Sequence, residues 1–169
     1  MRPTFSAEPY QQKKMKYIQT KNIHFRIPEE KDTGLIQHLL SECNLPYQDI
    51  DLAKQYFIVA ENEGKIIGCC GFEAYGENGL FRSLAVDTNY RNLRIGRLLT
   101  DKITNFASEM GIRAFYLLTT TAGSYFIKQG WNETDRMDVP MEISRTTEFL
   151  IICPATATCM MCHLEPVSK

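Results

Sequence analysis

Leu84-Ala85-Val86 closes an apolar segment, and after four residues the chain continues as Arg91-Asn92-Leu93-Arg94-Ile95-Gly96-Arg97-Leu98-Leu99. An apolar run followed by apolar residues at helical spacing predicts a strand, a short loop and a long amphipathic helix. The first N–H groups of such a helix have no partner within it, and they carry the positive end of its dipole. The junction therefore predicts an anion site, and a diphosphate suits it.

Arginines recur at three-residue spacing through this junction, at Arg91, Arg94 and Arg97. Cations near a helix N-terminus oppose the dipole by roughly 0.3–1 kcal/mol each, so three of them favour a bound anion. Solvated arginines on an exposed helix face are the alternative. The sequence contains neither G-x-x-x-x-G-K-S/T nor a G-x-G-x-x-G after a strand, which argues against the two common nucleotide motifs.

The 169 residues suit one globular domain in which strands and helices alternate around this junction. Strands are predicted at residues 23–27, 57–61, 65–75, 80–86, 114–119, 131–139 and 156–164, and helices at 35–43, 95–110, 123–129 and 144–152. The long helix carries an apolar stripe of Ile95, Leu98, Leu99, Ile103, Phe106, Ala107 and Met110. This order predicts an α/β (α+β) domain with a mixed sheet.

Charge divides the chain into a basic leader, residues 1–22 with a net charge of +4, and a remainder with a net charge of −5. A net acidic domain is a poor ligand for a phosphate backbone, so no nucleic-acid partner is expected. No apolar run approaches a membrane span, and the leader lacks a secretory apolar region. We therefore expect a cytoplasmic protein whose six cysteines are reduced. We also expect residues 1–22 to form a mobile extension, residues 23–164 the domain and residues 165–169 a tail.

The junction resembles the acetyl-CoA motif of the Gcn5-related N-acetyltransferases (GNAT). That pattern is followed by Leu84-Ala85-Val86 and then by Tyr90-Arg91-x-x-x-x-Gly96-x-x-Leu99. Further downstream, it is followed by Thr119-Thr120-Thr121-Ala122 and by Phe126-x-x-x-Gly130-Trp131. The resemblance covers residues 23–164 and implies the GNAT fold, a mostly antiparallel sheet of six to seven strands flanked by helices. Residues 80–86, 147–149 and 153–154 are most similar to the arsenic-resistance N-acetyltransferase branch.

Carried onto this chain, the resemblance implies acetyl-CoA as the acetyl donor and no metal. The backbone of Leu84, Ala85 and Val86 would pair with the pantetheine arm, and Phe126 would pack near the thiol. The pyrophosphate would lie on the loop formed by Arg91, Asn92, Leu93, Arg94, Ile95, Gly96 and Arg97. Arg94 stands where the family has its first motif glycine, so the loop must accommodate a side chain there.

Candidate catalytic residues are Glu73 and Tyr125. The family's usual tyrosine position holds Phe126, and Tyr125 is expected to point elsewhere because neighbours on a helix do not share a face. Glu73 is the predicted base for the amine, since an ammonium has no lone pair to attack a thioester. The alternative is a cross-strand ion pair with Arg82. The register of the hairpin decides between the two. A four-residue loop at 76–79 places Glu73 opposite Arg82, whereas a two-residue turn at 78–79 places Glu73 opposite Leu84.

Arg82 lies in an apolar strand, where an unpaired cation is costly, so it requires an anionic partner. Glu73 and the carboxylate of a bound amino acid are the two candidates, and Thr120 is a further candidate for acceptor binding. The sequence thus predicts acetyl transfer to the amine of a small amino-acid-like acceptor. A homodimer is a possible assembly of the protein. Two alternatives stay open, a protein or peptide N-acetyltransferase and a catalytically impaired CoA-binding sensor.

Overall fold

A computed structural model describes residues 22–166 and arranges its strands in one mixed sheet. The sheet has seven strands among these residues, in the order β1-β2-β3-β4-β5-β7-β6. Their bounds are β1 Ile23–Arg26, β2 Tyr56–Asn62, β3 Lys65–Tyr75, β4 Asn78–Val86, β5 Ala114–Thr119, β6 Asn132–Glu133 and β7 Thr158–His163. All neighbours are antiparallel except β4 and β5, which are parallel. The predicted mixed, mostly antiparallel sheet is confirmed.

Helices flank the sheet, and short turns connect them to it. The helices are α1 Thr33–Glu42, α2 Ile95–Glu109, α3 Gly123–Ile127 and α4 Met141–Ser144, with 3₁₀ turns at Glu30–Asp32, Thr88–Tyr90 and Arg136–Asp138 and a π turn at Glu148–Ile152. The segments outside residues 22–166 include nearly all of the predicted basic leader and the end of the predicted tail. Within the described range, no helix has the length and apolar character needed to cross a membrane.

Helix α2 packs across β2, β3 and β4 and fixes the position of the predicted anion site. Its buried stripe comprises Ile95, Leu99, Ile103 and Ala107. Each such large apolar side chain contributes roughly 1.5–3 kcal/mol when buried. The stripe is narrower than predicted, because Leu98 is 44% exposed and Met110 is 40% exposed.

Strands β4 and β5 pair over only part of their length. Asn78, Gly79 and Leu80 pair with the first residues of β5, and no further pair forms between these two strands within residues 22–166. A bulge in β4, where Ser83 adopts a φ of +60°, shifts the register against β3. Bulges bend a strand and re-aim its side chains. The second half of β4 therefore presents an open backbone edge toward β5.

Three predicted features differ in the structure. The strand predicted at residues 131–139 is only β6, because the Asp135 carboxylate accepts a hydrogen bond from the Met137 N–H at 2.9 Å and starts a 3₁₀ turn. The helix predicted at 144–152 is instead α4 followed by the π turn. The hairpin turns at residues 76–77, so Glu73 lies opposite Leu80 and Arg82 opposite Gly71, unlike either predicted register.

Candidate acyltransferase site

The N-terminus of α2 is open, as the sequence predicts. Arg94 is the N-cap residue, and no side chain accepts a hydrogen bond from the first turn of the helix. The N–H groups of Ile95, Gly96 and Arg97 also lack partners within the helix. Asn92 and Arg94 adopt φ values of +62° and +63°, the left-handed region that favours glycine. This conformation explains why a glycine is expected where Arg94 stands.

A cleft of about 460 Å³ lies in front of this helix end. It is lined by Leu84, Val86, Tyr90, Arg91, Asn92, Arg94, Ile95, Gly96, Arg97 and Tyr125. A Cβ atom at position 96 would lie 3.0 Å from the Tyr125 hydroxyl oxygen and 3.8 Å from Val86 Cγ2. Glycine at this position therefore permits the tyrosine hydroxyl to approach the start of the helix.

The three predicted phosphate-binding arginines differ in their partners. Arg91 donates to the Val86 carbonyl at 3.2 Å, and Arg97 pairs with Asp101 at 2.9 Å. The Arg94 side chain forms neither a hydrogen bond nor an ion pair with any other residue of the described range 22–166. Its side chain is thus available to an anion in the cleft.

The left-handed backbone at position 94 has a measurable consequence. Such a conformation costs a residue with a side chain roughly 1–2 kcal/mol, and glycine avoids it at an entropic cost of roughly 0.5–1 kcal/mol. We expect Arg94→Gly to unfold at equal or higher urea concentration than the native chain. Arg94→Ala, the matched control, keeps the strain and should be about 1 kcal/mol less stable than Arg94→Gly. An alanine variant more stable than the glycine variant would contradict the left-handed conformation.

A second cavity of about 320 Å³ opens beside the cleft. Leu84 and Tyr125 line both spaces, so the two meet at these residues. The rest of its wall includes Phe81, Arg82, Ser83, Thr120, Phe126, Glu148, Ile152 and Cys153. The structure thus places Arg82 and Thr120, both predicted to bind the acceptor, at one cavity.

Tyr125 stands at the junction of the two spaces. Its hydroxyl is buried and has no hydrogen-bond partner among the described residues, and burial raises its pKa. Phe126 lines the second cavity but not the cleft, and it packs edge-on against Phe81 and Trp131 at centroid distances of 5.7 and 5.3 Å. The expectation that Tyr125 points elsewhere is wrong, because the short helix α3 turns the preceding residue, not Phe126, toward the cleft.

Arg82 is almost fully buried, with 4% of its surface exposed, and carboxylates surround it. Its two terminal nitrogens bind the Asp49 carboxylate in a bidentate pair at 2.6 and 2.7 Å. One of them also donates to Glu73 Oε1 at 2.7 Å. The prediction that Arg82 needs an anionic partner is confirmed. The sequence analysis did not identify Asp49 as a partner. Asp49 occupies the bidentate position on the Arg82 guanidinium that was predicted for a substrate carboxylate.

Glu73 belongs to this ion-pair cluster and lines neither space. One carboxylate oxygen accepts hydrogen bonds from Gln55 at 3.0 Å and Arg82 at 2.7 Å, and the other accepts from the Tyr75 hydroxyl at 2.5 Å. Of the two predicted alternatives for Glu73, the ion pair with Arg82 is present, although the register differs. The contact runs diagonally across the hairpin.

Glu148, in the π turn, is the acid that reaches the cavity, and no role was predicted for it. Glu148 is 8% exposed, and its Oε2 has no hydrogen-bond partner among residues 22–166. Arg82 Nη1 lies 3.7 Å from that oxygen. Burial raises the pKa of Glu148 to about 7, against the lowering effect of Arg82. The signal in the sequence is an acid directly before the apolar run 149–152.

Within residues 22–166, no three His, Cys, Asp or Glu side chains are grouped so as to hold a metal ion. Cys159 and Cys162 lie on β7 as free thiols.

Comparisons with known proteins agree with the fold and the cleft. A family model described as an acetyltransferase (GNAT) domain matches residues 53–133. An N-acetyltransferase of Chlorobaculum tepidum is 36% identical over 104 residues, which are 61% of this chain and 64% of that protein. An amino-acid acetyltransferase of Aeromonas salmonicida is 28% identical over 100 residues, 58% of this chain and 23% of that protein. The chain thus spans less than two thirds of either relative.

A solved structure has the same fold. N-acetylglutamate synthase from Neisseria gonorrhoeae, complexed with coenzyme A and N-acetyl-glutamate, gives a TM-score of 0.72 at 19% identity, over 85% of this chain and 35% of the synthase. The seven-stranded mixed sheet is therefore a GNAT fold. The residues that the acetyltransferase (GNAT) family model matches include the open helix end and part of the cavity wall.

Proposed function

We propose that the protein is an N-acetyltransferase that transfers the acetyl group of acetyl-CoA to the primary amine of a small amino-acid-like acceptor. The observation that carries this proposal is the meeting of two spaces at Leu84 and Tyr125. One space ends at a helix N-terminus where Arg94 has no side-chain partner among residues 22–166, and the other is a small cavity whose wall includes Glu148 and Arg82. A donor and an acceptor held in these spaces would meet at the junction.

The residues of the cleft fit acetyl-CoA. The open edge of β4 at Leu84–Val86 offers backbone groups to an amide-bearing chain, and the first N–H groups of α2 suit a pyrophosphate. Gly96 keeps the space in front of the helix clear, and Arg94 adds an unpaired positive charge. When bound, acetyl-CoA supplies an activated acetyl group as a thioester.

Tyr125 is suited to protonate the departing thiolate. Its buried hydroxyl has no partner, and its raised pKa keeps it protonated at neutral pH. Acid catalysis requires a protonated donor within hydrogen-bond reach of the leaving atom. The position at the junction supports this role.

The cavity favours a small acceptor. A volume of about 320 Å³ is at the lower end of small-molecule sites. Relatives described as amino-acid acetyltransferases support an amino acid as the acceptor. A glutamate-like amino acid, including an arsenic- or phosphorus-bearing analogue, is the finer form of this proposal. It rests on the sequence resemblance of residues 80–86, 147–149 and 153–154 to the arsenic-resistance branch.

A free-thiol assay with acetyl-CoA and a panel of amines tests the proposal. The panel contains proteinogenic amino acids, glutamate analogues that carry arsenic or phosphorus, polyamines and basic peptides. We expect thiol release only with a small amino-acid-like amine. Release with peptides alone would favour a protein N-acetyltransferase. Acetyl-CoA binding without release for any amine would favour a sensor, and both outcomes would contradict the proposal.

A further inference from the structure

Glu148 combines three properties that no other acid of the Arg82 cluster combines. It lines the cavity, it is buried, and one of its carboxylate oxygens has no hydrogen-bond partner among the described residues. Asp49 and Glu73 line neither space, and Arg82 binds both at hydrogen-bond distance. Glu148 is therefore the carboxylate of this cluster that remains available to a molecule in the cavity.

Carboxylates outnumber cations in the cluster behind this wall of the cavity. Arg82 on β4 is the cation that faces it, at 3.7 Å, and Asp49 in the α1–β2 segment already holds that guanidinium in a bidentate pair. Glu73 and Tyr75 face the cluster from β3, and the Cys153 thiol lies 3.9 Å from Glu148 Oε1. Three carboxylates thus share one guanidinium. An ammonium group in the cavity would relieve this excess of negative charge.

We infer that Glu148 is the general base, which takes a proton from the acceptor's ammonium group before acetyl transfer; this inference rests on the proposed function. The Glu148 carboxylate gains that proton and becomes a neutral acid. The freed nitrogen lone pair forms the bond to the acetyl carbon, the carbon–sulfur bond breaks, and CoA departs as the thiolate. Tyr125 gives its proton to the thiolate, which becomes the thiol, and takes the second proton from the nitrogen in return. Glu148 then returns its proton to solvent, so each turnover releases one proton.

The acidity of Glu148 matches this task. Burial raises its pKa to about 7, and the neighbouring charges of Asp49 and Glu73 add to this effect, while Arg82 opposes it. A base is most effective when its pKa lies near the working pH. Glu148 is ionised above about pH 7, so the turnover number should rise with pH through this region.

Glu148→Gln tests the inference, with Glu142→Gln at an exposed position of helix α4 as the matched control. Glutamine keeps the shape and the neutral state that burial favours, and Arg82 retains Asp49 and Glu73, so the variant is expected to fold. We expect the turnover number to fall by about 100-fold or more. Acetyl-CoA affinity should remain, and the rise in rate near pH 7 should disappear. An acceptor that is already unprotonated at the assay pH should lose less rate, because it needs no base.

Asp49→Asn supplies a second, independent variant. Removing the Asp49 charge lowers the pKa of Glu148, since that charge raises it. The rise in rate should therefore move to lower pH. If the turnover number of this variant rises at the same pH as that of the native chain, the inference is overturned, whether or not Glu148→Gln folds.

The outcomes separate the two proposals. If the native chain releases thiol with an amine and Glu148→Gln keeps both the rate and the pH profile, the inference is wrong and the proposed function stands. If the native chain binds acetyl-CoA but acetylates no amine, the proposed function fails, and the inference fails with it. Loss of rate and of the pH-dependent rise in Glu148→Gln, with Glu142→Gln unchanged, would support both.

Discussion

A Gly96→Glu variant is expected to lose acetyl-CoA affinity by at least about 100-fold, roughly 2.8 kcal/mol. A Cβ at this position would lie 3.0 Å from the Tyr125 hydroxyl, so the larger side chain must extend into the cleft in front of the helix. There its carboxylate would occupy and repel the site of the pyrophosphate. An acid in the first turn favours the helix dipole, so the fold itself should persist. Isothermal titration calorimetry with acetyl-CoA measures the effect.

Two variants control for this change. Gly96→Ala adds only the Cβ and should cost less affinity than the glutamate, since the tyrosine hydroxyl can shift by a few tenths of an ångström. Gly34→Glu introduces the same charge on α1, at a position where a Cβ meets nothing within 4 Å, and should leave affinity unchanged. Native affinity in a folded Gly96→Glu variant would show that the pyrophosphate does not lie at this helix end.

Arg82→Leu is expected to lower the free energy of unfolding by about 3–5 kcal/mol, the usual cost of removing one partner from a buried ion pair. Asp49, Glu73 and Glu148 would then share a buried site without their cation. The loss should be larger at pH 8 than at pH 5. Burial raises the pKa of Glu148 to about 7, and in this variant Arg82 no longer opposes that effect. The unfolded chain therefore ionises this carboxyl more readily than the folded protein, so stability falls as the pH rises. Urea unfolding at the two pH values measures both effects.

Arg82→Lys is the matched control for this prediction. Lysine keeps the positive charge but cannot form the bidentate contact with Asp49, so an intermediate loss of stability is expected. A change below about 0.5 kcal/mol in Arg82→Leu, the range typical of surface substitutions, would contradict the buried cluster.

Local pattern was enough to predict the elements that position the cleft. The strands at residues 65–75 and 114–119 match β3 and β5 at both ends, and α2 begins at Ile95 as its apolar spacing indicates. The strand predicted at residues 131–139 is shorter in the structure because the turn-forming Asp135 starts a 3₁₀ turn within it. The cleft residues were predicted together because they are neighbours along the chain.

The cluster around Arg82 was only partly predictable because its members are distant in sequence. Asp49 lies 33 positions before Arg82, in an irregular segment where no periodicity indicates direction. The hairpin turns at residues 76–77 instead of at either predicted turn, which places Glu73 opposite Leu80 and Arg82 opposite Gly71. Glu148 was overlooked because a π turn, not the predicted helix, carries it into the cavity. The direction of Tyr125 likewise depends on how a five-residue helix packs.

A crystal structure of the chain with bound acetyl-CoA tests the central claim most directly. The account predicts the pyrophosphate within hydrogen-bond distance of the backbone N–H groups of residues 92–97. It also predicts the pantetheine arm along the open edge of β4 and the thioester next to the Tyr125 hydroxyl. A pyrophosphate bound away from the start of α2, or a thioester outside the junction of the two spaces, would contradict it.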